Sequence, residues 1–317
     1  MIANHMRPWM TDIIQNCRHC GSHENTIFNA ATAVRDVVAY TEISGTPLCI
    51  LSIDFKEAFD KTSHDYLFEL LRIYGFGERF QRRIKGVYDR DTSSIQINGH
   101  RSHPIPIRSS VRQGCPLSML FFAFCLNPLI RTLEQNITGI QIGSQRVKTT
   151  VVAFADDVTV FVASPADIPR IQDVLTCYAA ASGARVIIEK SKAITFGTWD
   201  TSTKIMDIPY HTETTILEFL VTATVRESAC KCWSRATTLI RKQAKDAYSR
   251  ELTLDKRINY IHEYLLEKVW YLTQIYPPPE DSVRQLNTSI SWFIRKGQIF
   301  RFPMSPYTRR KKREVGT

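Results

Sequence analysis

VVAFADDVTVFVA, residues 151–163, decides the fold. Two β-branched and aromatic runs, Val151–Ala155 and Val158–Ala163, are separated only by Asp156-Asp157. Such runs read as strands. The spacing therefore predicts an antiparallel hairpin with two carboxylates at its tip. Asp is also a common turn residue, so the pair alone would equally suit a plain turn. Adjacent carboxylates between apolar strands repel each other and lose screening water, and a divalent cation relieves both problems.

Upstream, PLCILSIDF, residues 47–55, is a second apolar run, and it ends at Asp54. If the strands are neighbours, Asp54 is a natural third ligand beside Asp156 and Asp157. Two metal ions held there could activate a hydroxyl and steady the leaving oxygen of an in-line phosphoryl transfer. After this run, Lys56–Tyr74 reads as a helix, with Ala58, Phe59, Tyr66, Leu67, Leu70 and Leu71 on its apolar face. Ser94–Ile97, Asn98-Gly99 and Ile105–Ile107 read as strand, tight turn and return strand. Helices are expected over Ser118–Glu134 and Asp167–Ser182, the latter closed by Gly183.

Beyond Trp199 the character changes. Glu227–Arg250 and Asp255–Tyr276 read as long basic helices, the second with Ile258, Ile261, Leu265, Val269, Leu272 and Tyr276 at helical spacing. Pro277-Pro278-Pro279 ends it. Residues 1–225 carry 22 Lys+Arg against 22 Asp+Glu, whereas residues 226–317 carry 19 against 9. The whole excess of +10 thus lies in the last segment, which suits either a polyanionic partner or a solvated helical surface. The order of elements suggests two lobes, mixed α and β first and mostly helical second. No stretch approaches the ~20 apolar residues of a membrane span, so no membrane partner is expected.

These segments together resemble the reverse transcriptases of non-LTR (LINE-type) retrotransposons. SIDFKEAFDKTSHDYLFELL, residues 52–71, is similar to that family's first catalytic motif, and FADD, residues 154–157, to its second. SVRQGCPLS, residues 110–118, resembles its nucleotide-and-template loop. SGARVIIEKSKAITFG, residues 182–197, resembles the segment behind the active site.

The resemblance implies an α+β fold of the right-hand polymerase type. Its palm is an antiparallel sheet backed by helices, with partial fingers over residues 1–200 and a mostly helical thumb over 201–317. It implies that Asp54, Asp156 and Asp157, helped by the Phe55 backbone carbonyl, hold two Mg²⁺ ions, or Mn²⁺ in their place. Phe59 would exclude a ribose 2′-hydroxyl, although helix-core packing is its other reading. Gln113 and Gly114 would lie against the dNTP and its template base, or form an ordinary turn. Lys190 or Lys192 would approach the triphosphate. The implied partners are an RNA template, a DNA primer and dNTPs, with Arg241, Lys242 and Lys245 on nucleic-acid phosphates. Nothing in the pattern bears on oligomeric state.

Against full family members, the chain is expected to start inside the helix that IANHMRPWM resembles and to lack upstream fingers strands and a nuclease. Glu218 in TILEFLV, residues 215–221, stands where relatives place glycine, and a Cβ is expected to disfavour that backbone. An inactive remnant that at most binds nucleic acid is therefore the competing reading. A palm-type RNA polymerase is a third, which Phe59 opposes. Cys17, Cys20, His19 and His23 invite a zinc reading, but no second well-spaced pair follows. Scattered cysteines and Arg309–Arg313 lead us to expect an intracellular setting, nuclear or cytoplasmic. That basic run reads as an import signal, a nucleic-acid tail or a solvated charge cluster.

Overall fold

The structure, a computed structural model, describes residues 26–88, 92–111, 115, 117–143, 147–202 and 204–295, together with positions 6, 8, 9 and 13. The chain divides into two compact units, residues 1–228 and 229–317.

The first unit opens with α1 (Ile27–Ser44), β1 (Leu48–Ile53), α2 (Ala58–Lys61), α3 (His64–Ile73) and α4 (Glu78–Tyr88). Four short strands follow, β2 (Thr92–Ser93), β3 (Gln96–Ile97), β4 (His100–Arg101) and β5 (Ile105–Pro106), then α5 (Ser118–Asn136). Next come β6 (Ile140–Ile142), β7 (Val147–Thr149), β8 (Val151–Phe154), β9 (Asp157–Val162) and α6 (Asp167–Ser182). The unit continues through β10 (Lys192–Phe196), β11 (Tyr210–His211), β12 (Glu213–Ile216) and β13 (Phe219–Thr222).

The central sheet has the order β11-β10-β1-β9-β8. β1 lies antiparallel to both neighbours, whereas β10 and β11 are parallel. A central strand must be apolar on both faces, and β1 is, with Leu48, Cys49, Ile50 and Leu51 all inaccessible. Cys49, Leu51 and Ile53 share the main core with Val158, Val160 and Val162 of β9, Phe121 and Phe124 of α5, and Ile171 and Leu175 of α6. Each such side chain contributes roughly 1.5–3 kcal/mol by leaving water. α1 packs against β8 and β10.

Three local expectations are corrected. Lys56–Tyr74 is two helices, because Thr62 and Ser63 leave the helical region and the Ser63 hydroxyl accepts from the Tyr66 N–H, starting α3 afresh. The strand returning from Asn98-Gly99 is His100–Arg101, while Ile105–Pro106 pairs further back with Thr92–Ser93. The helix expected over Asp255–Tyr276 is interrupted by a π turn.

The hairpin β12–β13 falls in the first unit, where β12 packs beside β10. The change to an all-helical character thus comes near residue 228 rather than 200. α7 (Val225–Tyr248) spans the boundary, and the second unit continues with α8 (Leu254–Tyr260), a π turn (Ile261–Leu265), α9 (Leu266–Ile275) and α10 (Glu280–Ile294). Among the described residues no helix is long and apolar enough to cross a membrane.

Candidate active site

Asp54 is the residue after β1. Ile53 pairs with Val158, so the antiparallel register carried one step further sets Asp54 abreast of Asp157. β8 and β9 meet in a two-residue loop, Ala155-Asp156, closed by the pair Phe154–Asp157. Ala155 takes a left-handed backbone, φ +53°, which lets the chain reverse within two residues. Asp156 therefore stands at the tip.

Side chains alternate across a strand, so Ser52 and Asp54 share a face with their cross-strand neighbours Thr159 and Lys192. Further from the tip the same face is apolar, with Leu48, Ile50, Phe161 and Ile194 buried. The end carrying the carboxylates opens to solvent. Asp54 is half-buried there, and Asp156 and Asp157 are exposed.

Asp157 is held above the ordinary carboxylate range, first because the flanking strands desolvate it and then because Asp156, Glu218 and Asp54 repel its charge. Glu218 is thus a fourth carboxylate near the tip. It sits with Leu217 in the two-residue loop of the β12–β13 hairpin, and both residues have positive φ, +48° and +64°. The chain accepts the glycine-type backbone at Glu218 despite its Cβ, anchored by the buried Leu217.

The backbone of Asp54 is fixed from behind. Its N–H donates to the Ser191 hydroxyl at 3.1 Å, and its carbonyl accepts from the Ile187 N–H at 2.8 Å. The Lys56 N–H donates to the Arg185 carbonyl at 2.8 Å, so Phe55 bridges Val186 as a non-hydrogen-bonded pair. Strand alternation then turns the Phe55 carbonyl toward the opposite edge, on which β9 lies. Ser191 is a positioning residue that sequence reasoning missed. A serine in a polar stretch carries no sign of a partner 137 positions away.

Phe59 lies on α2, half-buried, its ring stacked on Phe122 at 4.3 Å. The Val111 N–H donates to the Phe59 carbonyl at 2.9 Å, the Ser110 N–H to Thr62 at 3.0 Å, and the Ser110 hydroxyl to Asp60 at 3.2 Å. These bonds hold the strip just before SVRQGCPLS's central residues against the first motif. Gln113 and Gly114 themselves lie outside the described residues. Lys190 is exposed in the turn before β10, and Lys192, half-buried, begins that strand. Arg241, Lys242 and Lys245 are exposed on α7 in the second unit, opposite the buried Ile240, Ala244 and Ala247. Cys17, His19, Cys20, His23 and Arg309–Arg313 lie outside the described residues.

Among the described residues, no three His, Cys, Asp or Glu side chains are already gathered around a point that could hold a metal ion. The donor set nevertheless fits a hard divalent cation. It consists of oxygen donors that face solvent at the tip and repel one another, as the raised Asp157 records. Convergence on a cation takes rotation of exposed side chains.

Residues 2–233 match the family described as "Reverse transcriptase (RNA-dependent DNA polymerase)". The chain is 26% identical over 282 residues to the "Transposon TX1 uncharacterized 149 kDa protein" of Xenopus laevis, covering 86% of this chain and 21% of that protein. It is 31% identical over 131 residues to the "Retrovirus-related Pol polyprotein from type-2 retrotransposable element R2DM" of Drosophila melanogaster, covering 41% of this chain and 12% of that one. The chain thus spans about a fifth or less of these relatives. Telomerase from Candida albicans, in complex with a fragment of telomeric RNA, matches the fold with a TM-score of 0.55 at 12% identity, over 93% of this chain and 54% of that one. Apo telomerase from Candida tropicalis matches with a TM-score of 0.52 at 11% identity, over 93% and 51%. Reverse transcriptases in general depend on a divalent metal, in keeping with the carboxylate tip. From the family match over most of its length and its transposon relatives, the chain belongs to the reverse transcriptase (RNA-dependent DNA polymerase) family, on the non-LTR retrotransposon side of it.

Proposed function

We propose that this chain extends a primer 3′-hydroxyl with deoxynucleotides on an RNA template, releasing pyrophosphate at each addition. The observation that carries this reading is Asp54 lying abreast of Asp157 at a solvated end of its sheet face, in a chain of this family. Asp54, Asp156, Asp157 and the Phe55 carbonyl would hold two Mg²⁺ ions, or Mn²⁺. When bound, these ions supply Lewis-acid activation of the hydroxyl and charge stabilisation on the leaving oxygen.

The remaining work falls to the chain. Phe59, backed by Phe122, presents an unyielding edge that would admit a 2′-deoxyribose and exclude a ribose. Gln113 and Gly114 would meet the dNTP and its template base. Lys192, on the same face as Asp54, is the better placed of the two lysines to meet a triphosphate there, with Lys190 in the adjoining turn. Arg241, Lys242 and Lys245 would neutralise phosphates of the primer–template. A nuclear setting fits a partner of this kind.

Primer extension by the purified chain on an RNA template tests the reading, with Asp156→Ala as control. Magnesium-dependent extension that the control lacks supports it. Absence of extension with retained duplex binding would leave the inactive remnant instead. That remnant is the less favoured reading, because the backbone doubted at Glu218 is accommodated.

A further inference from the structure

Ser110 has φ +103°, a left-handed backbone that a residue with a Cβ rarely adopts and that persists only where its surroundings hold it. The first motif supplies the hold. The Ser110 N–H donates to the Thr62 carbonyl at 3.0 Å, its hydroxyl donates to the Asp60 carboxylate at 3.2 Å, and its carbonyl lies 3.0 Å from His64 Nε2. A carbonyl only accepts, so the His64 ring carries its proton on Nε2. That ring is buried, with its centroid 5.0 Å from that of Tyr88. One residue upstream, Ser109 bridges Ser63, and the His64 N–H donates to the Arg108 carbonyl at 3.3 Å.

Successive N–H groups of an extended strand point to opposite sides. Those of Ser110 and Val111 both reach the first motif, at Thr62 and at Phe59. The left-handed turn at Ser110 aims the two together. The second bond matters to Phe59. α2 ends at Lys61, and the Ser63 N–H, which a continuing helix would offer to the Phe59 carbonyl, goes to the Ser182 carbonyl at 3.0 Å instead. The Val111 N–H takes its place at 2.9 Å, from a residue that is fully buried. Phe59 is thus held at its ring by Phe122 and at its backbone by a strip that Ser110 and His64 keep in place.

We propose that His64 and Ser110 are positioning residues for sugar selection. Through the strip Ser109–Val111 they fix how far Phe59 stands into the space that a ribose 2′-hydroxyl would need. This rests on the polymerase reading above, with Phe59 as the group that meets the sugar. A histidine that only filled the core would be replaceable by any ring of its size, and a serine that only made a turn would be replaceable by glycine. Neither substitution would then alter the choice between nucleotides.

The test is single-nucleotide primer extension on an RNA template, with kcat and KM measured for a dNTP and for the matching rNTP. His64→Phe keeps the ring and loses the Nε2 donor. His64→Gln keeps a donor at nearly the same reach. Ser110→Gly loses the hydroxyl bond but takes φ +103° without a Cβ penalty, so it folds even if His64→Phe does not. His64→Phe should lower the dNTP-over-rNTP ratio of kcat/KM on the order of tenfold, chiefly by lowering KM for the rNTP. Ser110→Gly should lower the ratio as well, with a thermal melt close to the parent's, and His64→Gln should recover most of the loss. In a Phe59→Ala background, His64→Phe should lower the ratio no further, because its effect runs through Phe59. A parent ratio retained in Ser110→Gly, or in a folded His64→Phe, overturns the inference. So does an equal loss of kcat/KM on both nucleotides, or a full further loss in the Phe59→Ala background. A parent chain that extends with neither nucleotide overturns the polymerase reading and this inference with it, so the two failures are distinct.

Discussion

The Asp54 backbone N–H donates to the Ser191 hydroxyl, which in turn donates to the Ile187 carbonyl at 2.8 Å. Ser191 is almost wholly inaccessible, so water cannot easily replace either bond. The backbone that carries the first carboxylate is thus fixed by a residue just ahead of β10. Ser191→Ala should cost about 1–3 kcal/mol, the penalty for a stranded buried donor. Urea denaturation measures this, and magnesium-induced stabilisation should weaken alongside it. An unchanged midpoint with an unchanged magnesium response would mean that Asp54 is held by its strand alone.

Asp157 gives a pH signature. Its folded-state pKa is raised above the ordinary value by desolvation and by Asp156, Glu218 and Asp54. A carboxyl of this kind favours the metal-free fold when protonated, and that contribution is lost as pH rises through the folded pKa. Asp157→Asn removes the repulsion. In EDTA its melting temperature should exceed the wild type's by about 1–3 °C at neutral pH, with the gap closing toward about pH 4. Magnesium should narrow the neutral-pH gap by stabilising only the wild type. A gap that stays constant with pH would refute the coupling.

The parts of the fold legible in sequence are those in which local pattern and tertiary demand agree. Val151–Val162 has β-branched residues on both sides of two aspartates, and the hairpin forms where expected. Gly183 ends α6 in the left-handed conformation that its position suggests. The illegible parts depend on distant partners. Apolar spacing runs unbroken through Thr62–Ser63, although the backbone turns out of the helix there and the Ser63 N–H donates to the Ser182 carbonyl at 3.0 Å. His100–Arg101 is polar and carries no strand periodicity, yet pairs directly with Gln96–Ile97. Glu218 is visible in sequence as a backbone problem. Its charge beside Asp157 exists only once β12 and β13 have folded back.

Gly197, the last residue of the fourth motif, follows the Leu48–Phe196 pair that ends the β1–β10 ladder. Its φ is +61°, and an added Cβ would overlap the Thr46 carbonyl oxygen and lie 2.7 Å from that of Gly45. Both obstacles are backbone just ahead of β1, so relief would shift the strand that leads to Asp54. Gly197→Ala should destabilise by about 2–4 kcal/mol, the left-handed penalty plus overpacking. Gly99→Ala is the control, since Gly99 has φ +84° but open space where its Cβ would go. It should cost only the conformational share, about 1–2 kcal/mol. Chemical denaturation of the two variants checks the difference, and equal losses would remove the steric argument.

In the second unit, Arg257 is a buried cation used as a structural clasp. Its Nε and Nη2 donate to the Leu252 carbonyl at 3.0 and 2.8 Å, and its Nη1 donates to the carbonyls of Ile294 at 2.7 Å and Phe293 at 3.3 Å. One planar guanidinium thereby joins the loop before α8 to the C-terminal end of α10, where helix carbonyls lack intrahelical donors. Arg257→Met keeps much of the volume but strands those carbonyls, and should cost about 2–4 kcal/mol. Arg257→Lys keeps the charge, yet a single ammonium cannot serve both ends, so it should recover less than half of the loss. Hydrogen exchange should show faster opening of α8 and α10 in both variants, with β1 and β9 of the first unit unaffected. A lysine variant as protected as the wild type would show that charge alone suffices and that the fork geometry is incidental.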